Sequence, residues 1–333
     1  MRVFLPTYRR AALLPRAIAS LRAQTLTDWV CELHNDDPTD PNPARLVREL
    51  GDPRLRLVTH EQNLGPIATF NLFYHPTVEP FSALLEDDNT WEPTFLERML
   101  DALTSHPGAT LAWCNQRLAR EDHAGNVIET SDTVNPVADA SEPARLIAWG
   151  DFKQVMGARH ANGAMVLRSR SGQSYPTPVI PFGSVEAFRE RMLPHPLLYV
   201  PEALATFTVT QTTARRHDRP TWGAALVLLA ASFLKHAALD EAGLARLCEH
   251  FRRQSPPLTS ELLVASFVCR ENRPLRRHLT SSDWTRFLFQ FCRHPLAGWR
   301  TVRARSLHPD WWSFLDLHTA ARFAPPPPST GRW

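Results

Sequence analysis

Three consecutive acids, Glu86-Asp87-Asp88, follow directly on the apolar run from Phe81 to Leu85. Carboxylates crowded in this way repel one another, and each disfavours ionisation of the next. A divalent cation resolves the repulsion, because Mg²⁺ or Mn²⁺ takes one or two carboxylates together with substrate phosphates. In an extended segment Glu86 and Asp88 point to one side and Asp87 to the other. Asp88 is therefore the first expected metal ligand, with Glu86 second, directly or through water. The same acids would also suit an approach to the helix that Pro93 opens, where the dipole favours negative charge.

Two further polar clusters carry chemistry. Asp36-Asp37 can accept from a base N–H or from ribose hydroxyls, although Asp37-Pro38 is equally good turn chemistry. Pro6-Thr7-Tyr8-Arg9-Arg10 offers Tyr8 as a stacking surface and Arg10 as a partner for a diphosphate.

The elements that must position these clusters are legible in the hydrophobic pattern. Val3 to Leu5, Trp29 to Leu33, the stretch around Leu55 and Leu57, Phe81 to Leu85 and Ala109 to Cys114 read as strands. Helical spacing joins Leu14, Ile18 and Leu21, then Ile67, Phe70 and Tyr74, then Phe95, Leu96, Met99 and Leu103. Alternation of this kind predicts a mainly parallel central sheet flanked by helices. Each cluster follows a strand, at the sheet edge where open α/β folds bind their ligands. From 116 to 209 the pattern loosens, with strands expected at Ala164–Leu167 and Leu197–Val200. Beyond Pro220 it turns helical: Trp222–Leu234, Leu239–Phe251, Leu262–Val268, Trp284–Phe291 and Trp311–Leu317. The expected organisation is a domain over 1–209, split at 115 into a nucleotide-binding and an acceptor half. A basic helical region over 210–324 and a disordered, proline-rich end over 325–333 follow it.

The 333 residues carry a net charge of +3, unevenly spread. Residues 210–333 hold 18 Lys+Arg against 9 Asp+Glu, hence +9, while the remainder holds 19 against 25, hence −6. That asymmetry suits an anionic partner for the C-terminal half, a lipid surface, a lipid-phosphate or another protein, and gives no reason to expect nucleic acid. The five cysteines form no CxxC pair, which argues against a zinc site or a disulfide framework and for a reducing compartment. Met1-Arg2-Val3-Phe4-Leu5-Pro6 does not read as a signal peptide, and the run from Trp222 to Leu234 is too short to span a bilayer. A cytoplasmic location, peripheral at the inner membrane at most, is expected.

A family resemblance runs through these segments in order. Val3-Phe4-Leu5-Pro6-Thr7-Tyr8-Arg9-Arg10 resembles the opening strand and P-T-Y-N-R signature of family 2 glycosyltransferases of the GT-A fold. Ser20 to Thr25 resembles the family's S-x-x-x-Q-T helix end, and Asp36-Asp37-Pro38-Thr39-Asp40 its D-D-G-S-T-D loop. Asn63-Leu64-Gly65 with Asn71 resembles its N-x-G…N segment, and Glu86-Asp87-Asp88 stands where the family carries its D-x-D metal motif. The match is close over about 100 residues and looser to about residue 210. It implies a GT-A domain with a helical C-terminal extension and a nucleotide-diphosphate-sugar donor, a UDP-sugar favoured. Pro6, Thr7, Tyr8 and Asp36 would surround the base, Asn63 would join the donor-binding set, Asp37 or Asp87 would lie near the ribose, and Arg10 would face the phosphates. Asp88, seconded by Glu86, would hold Mn²⁺ or Mg²⁺ on the diphosphate. Pro38 replaces the usual glycine and Glu86 the usual first aspartate.

An inverting transfer needs a base for the acceptor hydroxyl, on a glycan or a lipid-linked acceptor. Gly183 to Arg191 resembles a degenerate form of the family's E-D…R segment, which makes Glu186 the expected base and Glu190 the substitute; on a plain helix the same acids would pair with arginines. Asn162-Gly163-Ala164 matches a loop that often borders the acceptor pocket. The family's occasional metal-binding histidine has no counterpart before His217, which reads as part of a basic loop. Two other classes compete: a catalytically silent nucleotide-binding or assembly module, and a nucleotidyltransferase. The latter would normally show a Gly-rich phosphate loop after the first strand, where this chain has Tyr8-Arg9-Arg10.

Overall fold

The computed structural model describes residues 1–122, 126–135, 142–170, 172–209 and 219–324. His217 and the proline-rich end lie outside them. The chain divides into two compact units that interleave in sequence. The first is Met1–Ala148, His160–Val179 and the stretch from Leu193; the second is Trp149–Arg159, Ile180–Met192 and the C-terminal helices.

In the first unit the elements run β1 (Arg2–Thr7), α1 (Leu14–Arg22), β2 (Val30–Asn35), α2 (Asn42–Leu50), β3 (Leu55–Thr59), α3 (Pro66–Phe73), β4 (Phe81–Leu84), β5 (Thr90–Trp91), α4 (Phe95–Ser105), β6 (Leu111–Glu121), β7 (Val127–Thr133), β8 (Arg145–Ile147), β9 (Met165–Arg168) and β10 (Leu197–Val209). They form one sheet in the order β3-β2-β1-β4-β9-β6-β10-β5, with β7 on β6 and β8 on β10. Parallel pairing is concentrated in the N-terminal half, from β3 through β4. Beyond β4 the pairings are antiparallel except between β6 and β10, so the sheet as a whole is mixed.

The order explains where a site can form. The chain leaves β1 toward β2 and β3, then returns to place β4 on the other side of β1. This reversal opens a crevice between the loops that follow β1 and β4, the usual ligand position in such sheets. Apolar spacing builds the support beneath it. Leu14, Ala17, Ile18 and Leu21 of α1 and Phe95, Leu96, Met99 and Leu103 of α4 are buried, and join Val3, Leu5, Cys31, Leu33 and Ala83 of the strands in one core. Gln24, just past α1, ties the two helices together: its Oε1 accepts from Leu96 N at 2.9 Å and its Nε2 donates to Glu92 O at 2.8 Å.

The second unit is helical: α5 (Val185–Glu190), α6 (Arg219–Ala237), α7 (Glu241–Arg252), α8 (Thr259–Val268), α9 (Ser281–Arg293), α10 (Pro295–Val302), α11 (Ala304–Leu307) and α12 (Pro309–Phe323). Helix α6, the longest apolar run, is buried from Ala224 to Ala231 and packs on α8, α10 and α12. No helix among the described residues is long and apolar enough to cross a membrane. All five cysteines are free thiols.

Candidate donor site

The loops after β1 and β4 are joined by short polar contacts. Thr7 Oγ1, at the end of β1, donates to Asp87 Oδ2 at 2.7 Å. Arg10 donates to Asp87 Oδ1 at 3.2 Å and also to Asp88 Oδ2. From α1, Arg16 donates to the Asp88 carbonyl at 2.9 Å and to the buried carboxylate of Glu121. Two arginines thus hold the acidic segment by its side chains and by its backbone. Burial pushes the Asp87 carboxyl up to about 6, and the neighbouring Asp88 adds to this, while the Arg10 guanidinium pulls the other way.

The extended-chain expectation for the triplet is corrected. Glu86 to Asn89 forms a turn closed by Asn89 N donating to Glu86 O at 3.1 Å. The turn brings Asp87 and Asp88, not Glu86 and Asp88, onto the same guanidinium. Glu86 instead accepts from Asn89 Nδ2 at 2.6 Å. It lies against Gly163, where an added Cβ would come within 2.7 Å of Glu86 Oε2 and 2.9 Å of Asn89 Nδ2. A larger residue there would make the Glu86 and Asn89 side chains shift. Asn89 is fixed in turn by Thr208 N, which donates to its Oδ1 at 2.9 Å.

The Asp36-Asp37 loop is equally ordered. Asp36 is buried, and both its oxygens accept from the chain: Oδ1 from Leu64 N at 2.8 Å, Oδ2 from Gly65 N at 3.0 Å and from Asn63 Nδ2 at 3.2 Å. Gly65 takes φ +79° as it enters α3, a conformation glycine adopts without strain. His60 Nδ1 lies 2.8 Å from Asp36 Oδ1, and its Nε2 lies 3.0 Å from His34 Nδ1. With a proton on His60 Nδ1 toward the carboxylate, His60 Nε2 accepts from His34, which burial against Phe4 keeps neutral by lowering its pKa. Asp36 and Asn63 therefore act on each other at the end of β2. Asp37 accepts from Thr39 N at 2.9 Å and Thr39 Oγ1 at 2.7 Å, and from Arg9 Nε at 2.6 Å. Arg9 and Thr39 hold its carboxyl down to about 2. Tyr8 is 43% exposed, with the Arg9 guanidinium 5.0 Å from its ring centroid.

The structure thus gathers Thr7, Arg10, Asp87 and Asp88 at one end of β1 and β4, and Asp36, Asp37 and Asn63 at the end of β2. Arg16, Glu121, His60 and Asn89 were not singled out from the sequence. Nothing local distinguishes Arg16 from any arginine on an amphipathic helix, and Glu121 lies 105 residues away from it.

The two expected bases both belong to the second unit, and α5 treats them differently. Glu190 is fully buried; its Oε1 accepts from Gln154 Nε2 at 2.5 Å and its Oε2 from Arg159 N at 2.7 Å. So enclosed, this carboxylate braces its own unit. Glu186, in the first turn of α5, remains partly exposed. Arg191 is buried too, donating to the carbonyls of Gln154 at 2.8 Å and Val155 at 3.3 Å.

Against known proteins, residues 2–137 match the model for glycosyl transferase family 2. The chain carries a family 2 glycosyltransferase domain. That domain spans β1 through β7 and so includes every polar group at the crevice described above except Gly163 and Thr208. Its likeness to solved structures covers more of the chain. TarS 1–349 from S. aureus, in complex with UDP-GlcNAc, aligns with a TM-score of 0.56 at 13% identity, over 95% of this chain and 90% of that one. At that identity the likeness speaks for the fold, which is GT-A with a helical C-terminal region. Two curated relatives align over shorter stretches. An uncharacterised protein of Sinorhizobium fredii is 31% identical over 34% of this chain and 13% of its own length. UDP-Glc:alpha-D-GlcNAc-diphosphoundecaprenol beta-1,3-glucosyltransferase WfgD of Escherichia coli is 27% identical over 30% of this chain and 40% of its own. The chain thus matches well under half the length of either.

Proposed function

We propose that the protein transfers a sugar, with inversion, from a nucleotide-diphosphate donor to a hydroxyl of a glycan or lipid-linked acceptor. The observation that carries this reading is the Thr7–Asp87–Arg10–Asp88 cluster across the crevice between β1 and β4. A UDP-sugar is the favoured donor. TarS binds UDP-GlcNAc, and the E. coli relative uses UDP-Glc and a diphosphate-lipid acceptor, which supports both halves of the proposal.

The residues fit a divalent cation held by one carboxylate. Among the described residues no three His, Cys, Asp or Glu side chains are gathered for a metal, and Glu86 is turned toward Asn89. Asp88, however, gives Arg10 only Oδ2, and its Oδ1 has no hydrogen-bond partner there. One carboxylate oxygen with two diphosphate oxygens and water is an ordinary Mg²⁺ or Mn²⁺ environment. When bound, such an ion acts as a Lewis acid on the leaving diphosphate. The protein's own groups do the rest. Arg10 lies beside the developing negative charge, and Thr7 and Arg16 keep the acidic turn in place. Asp36 organises the loop of Asn63 to Gly65 beside the base and ribose, with Tyr8 as the exposed stacking surface. Glu186 takes the acceptor proton as the acceptor oxygen bonds to the anomeric carbon; the carbon–oxygen bond to phosphate breaks, and its electron pair leaves with the nucleoside diphosphate. The surplus positive charge of the C-terminal half fits an anionic contact, which its helices must supply.

Incubation with UDP-, GDP- and dTDP-sugars with and without Mn²⁺, followed by assay of the released nucleotide, tests the proposal. Metal-dependent release from one donor class, abolished in Asp88→Ala, is expected. Tight UDP binding with no hydrolysis or transfer from any donor would instead favour a silent nucleotide-binding module.

A further inference from the structure

Helices α9 and α10 carry apolar side chains on two sides. Inward, Phe287 and Phe291 of α9 face the bundle, and Gly298 of α10 sits so close to Phe291 that an added Cβ would meet its ring at 2.5 Å. Outward, Leu288 (55% exposed), Phe289 (64%), Leu296 (77%) and Trp299 (48%) stand in solvent. Leu296, Trp299 and Arg300 of α10 and Arg303 at its C-cap fall at i, i+3, i+4 and i+7, hence on one side of the helix. The Arg303 guanidinium lies 5.4 Å from the Trp299 ring centroid. Arg293 stands beside the apolar face of α9, one residue after Cys292, and is exposed.

The charge around these side chains says what could cover them. Residues 281–307 contain five arginines and one acid, Asp283. That acid is buried and bonded to Arg252 at 2.9 Å, so it neutralises nothing on the surface. Arg293, Arg300 and Arg303 have no carboxylate partner among the described residues. A second copy of the chain seated here would set these arginines against their own counterparts. An anionic bilayer would instead pair them with phosphates and take the Leu, Phe and Trp side chains into the headgroup–acyl boundary, the pattern of helices that lie in a membrane interface.

We propose that the α9–α10 face docks the protein on an anionic phospholipid surface. Leu288, Phe289, Leu296 and Trp299 enter the interface, and Arg293, Arg300 and Arg303 bind headgroup phosphates. The contact is independent of nucleotide-sugar binding and holds whether or not transfer occurs.

Sedimentation of the full chain with vesicles of phosphatidylcholine alone, or with 30% phosphatidylglycerol, tests this without any substrate. Binding only to the anionic vesicles is expected, weakening as NaCl rises through the range that screens surface charge. Replacing Arg293, Arg300 and Arg303 together by alanine should lower the partition coefficient about 100-fold, at about tenfold or less for each arginine. Leu296→Ser with Trp299→Ser should lower it at least about tenfold. All five substituted positions are exposed, so the far-UV circular dichroism and unfolding temperature of both variants should match the parent. Equal binding to neutral vesicles, no binding to either, or variants that bind like the parent would overturn the proposal. So would a dimer in light scattering that Leu296→Ser with Trp299→Ser makes monomeric, because the face would then belong to a second copy.

Discussion

Arg10 bridges Asp87 and Asp88, donating to Asp87 Oδ1 at 3.2 Å and to Asp88 Oδ2 with the same nitrogen. Two buried carboxylates in adjacent positions share this one guanidinium, which is itself mostly enclosed. Arg10→Ala leaves them facing each other across a turn. The expected cost is about 2–3 kcal/mol of folding stability, toward the low end for breaking a buried pair because Arg10 keeps some solvent contact. Urea unfolding of the two proteins measures it. Arg10→Lys, which keeps the charge but loses the fork, should recover part of the loss.

Asp36 accepts from Leu64 N, Gly65 N and Asn63, with His60 behind it. If the loop is what meets the donor, Asp36→Ala should weaken nucleotide binding by about 10–100-fold through misplacement alone. His60→Ala should give a smaller loss of the same kind, since the backbone amides remain. Calorimetric titration of UDP into each variant checks the order.

The two glutamates of α5 should separate cleanly. Glu186→Gln is expected to lower kcat by roughly 10²–10⁴-fold, with the donor KM little changed, the signature of a lost base. Glu190→Gln should instead lower stability by about 1–3 kcal/mol, because Arg159 N and Gln154 lose a charged acceptor. A Glu190→Gln enzyme that folds like the parent yet fails in turnover would reverse the assignment.

Asp283 supplies a pH test within the helical unit. Burial alone would raise its carboxyl, but Arg252 and the Thr280 amide hold it down to about 2. A folded pKa below the unfolded one means stability that is present above the ordinary aspartate range, near pH 4, and lost as pH falls through about 2. The stability difference between the parent and Asp283→Asn should be constant from pH 7 to 5 and shrink below about pH 4. Guanidinium unfolding across that range reads it. A difference that grows toward acid would contradict the assignment.

These predictions also mark how far the sequence could be read. The strand ends carrying Thr7, Asp36 and Asp88 were visible because buried strands and the polar residues after them are local patterns. The turn at Glu86–Asn89 was not, since it depends on Gly163 leaving room for Glu86 and on Thr208 holding Asn89, and both are distant in the chain. The same holds for Glu190, which looks like any helical glutamate until Gln154 and the Arg159 amide close over it. Helix α2 carries two prolines at its start, Pro41 and Pro43, which mask it in the sequence although Pro43 sits within its first turn. The edge strands β7 and β8 went unread, β7 because its polar run looks like a loop.

On the proposed function, Asp88 joins a nucleotide-sugar and a divalent cation to this crevice. Thermal unfolding with UDP-GlcNAc or UDP-Glc, with and without Mn²⁺, tests it most directly. The parent should be stabilised by donor and metal together well beyond the sum of either alone, and Asp88→Ala should lose that excess while still unfolding cooperatively without ligand. Equal stabilisation of Asp88→Ala by donor plus Mn²⁺ would rule out Asp88 as the metal ligand.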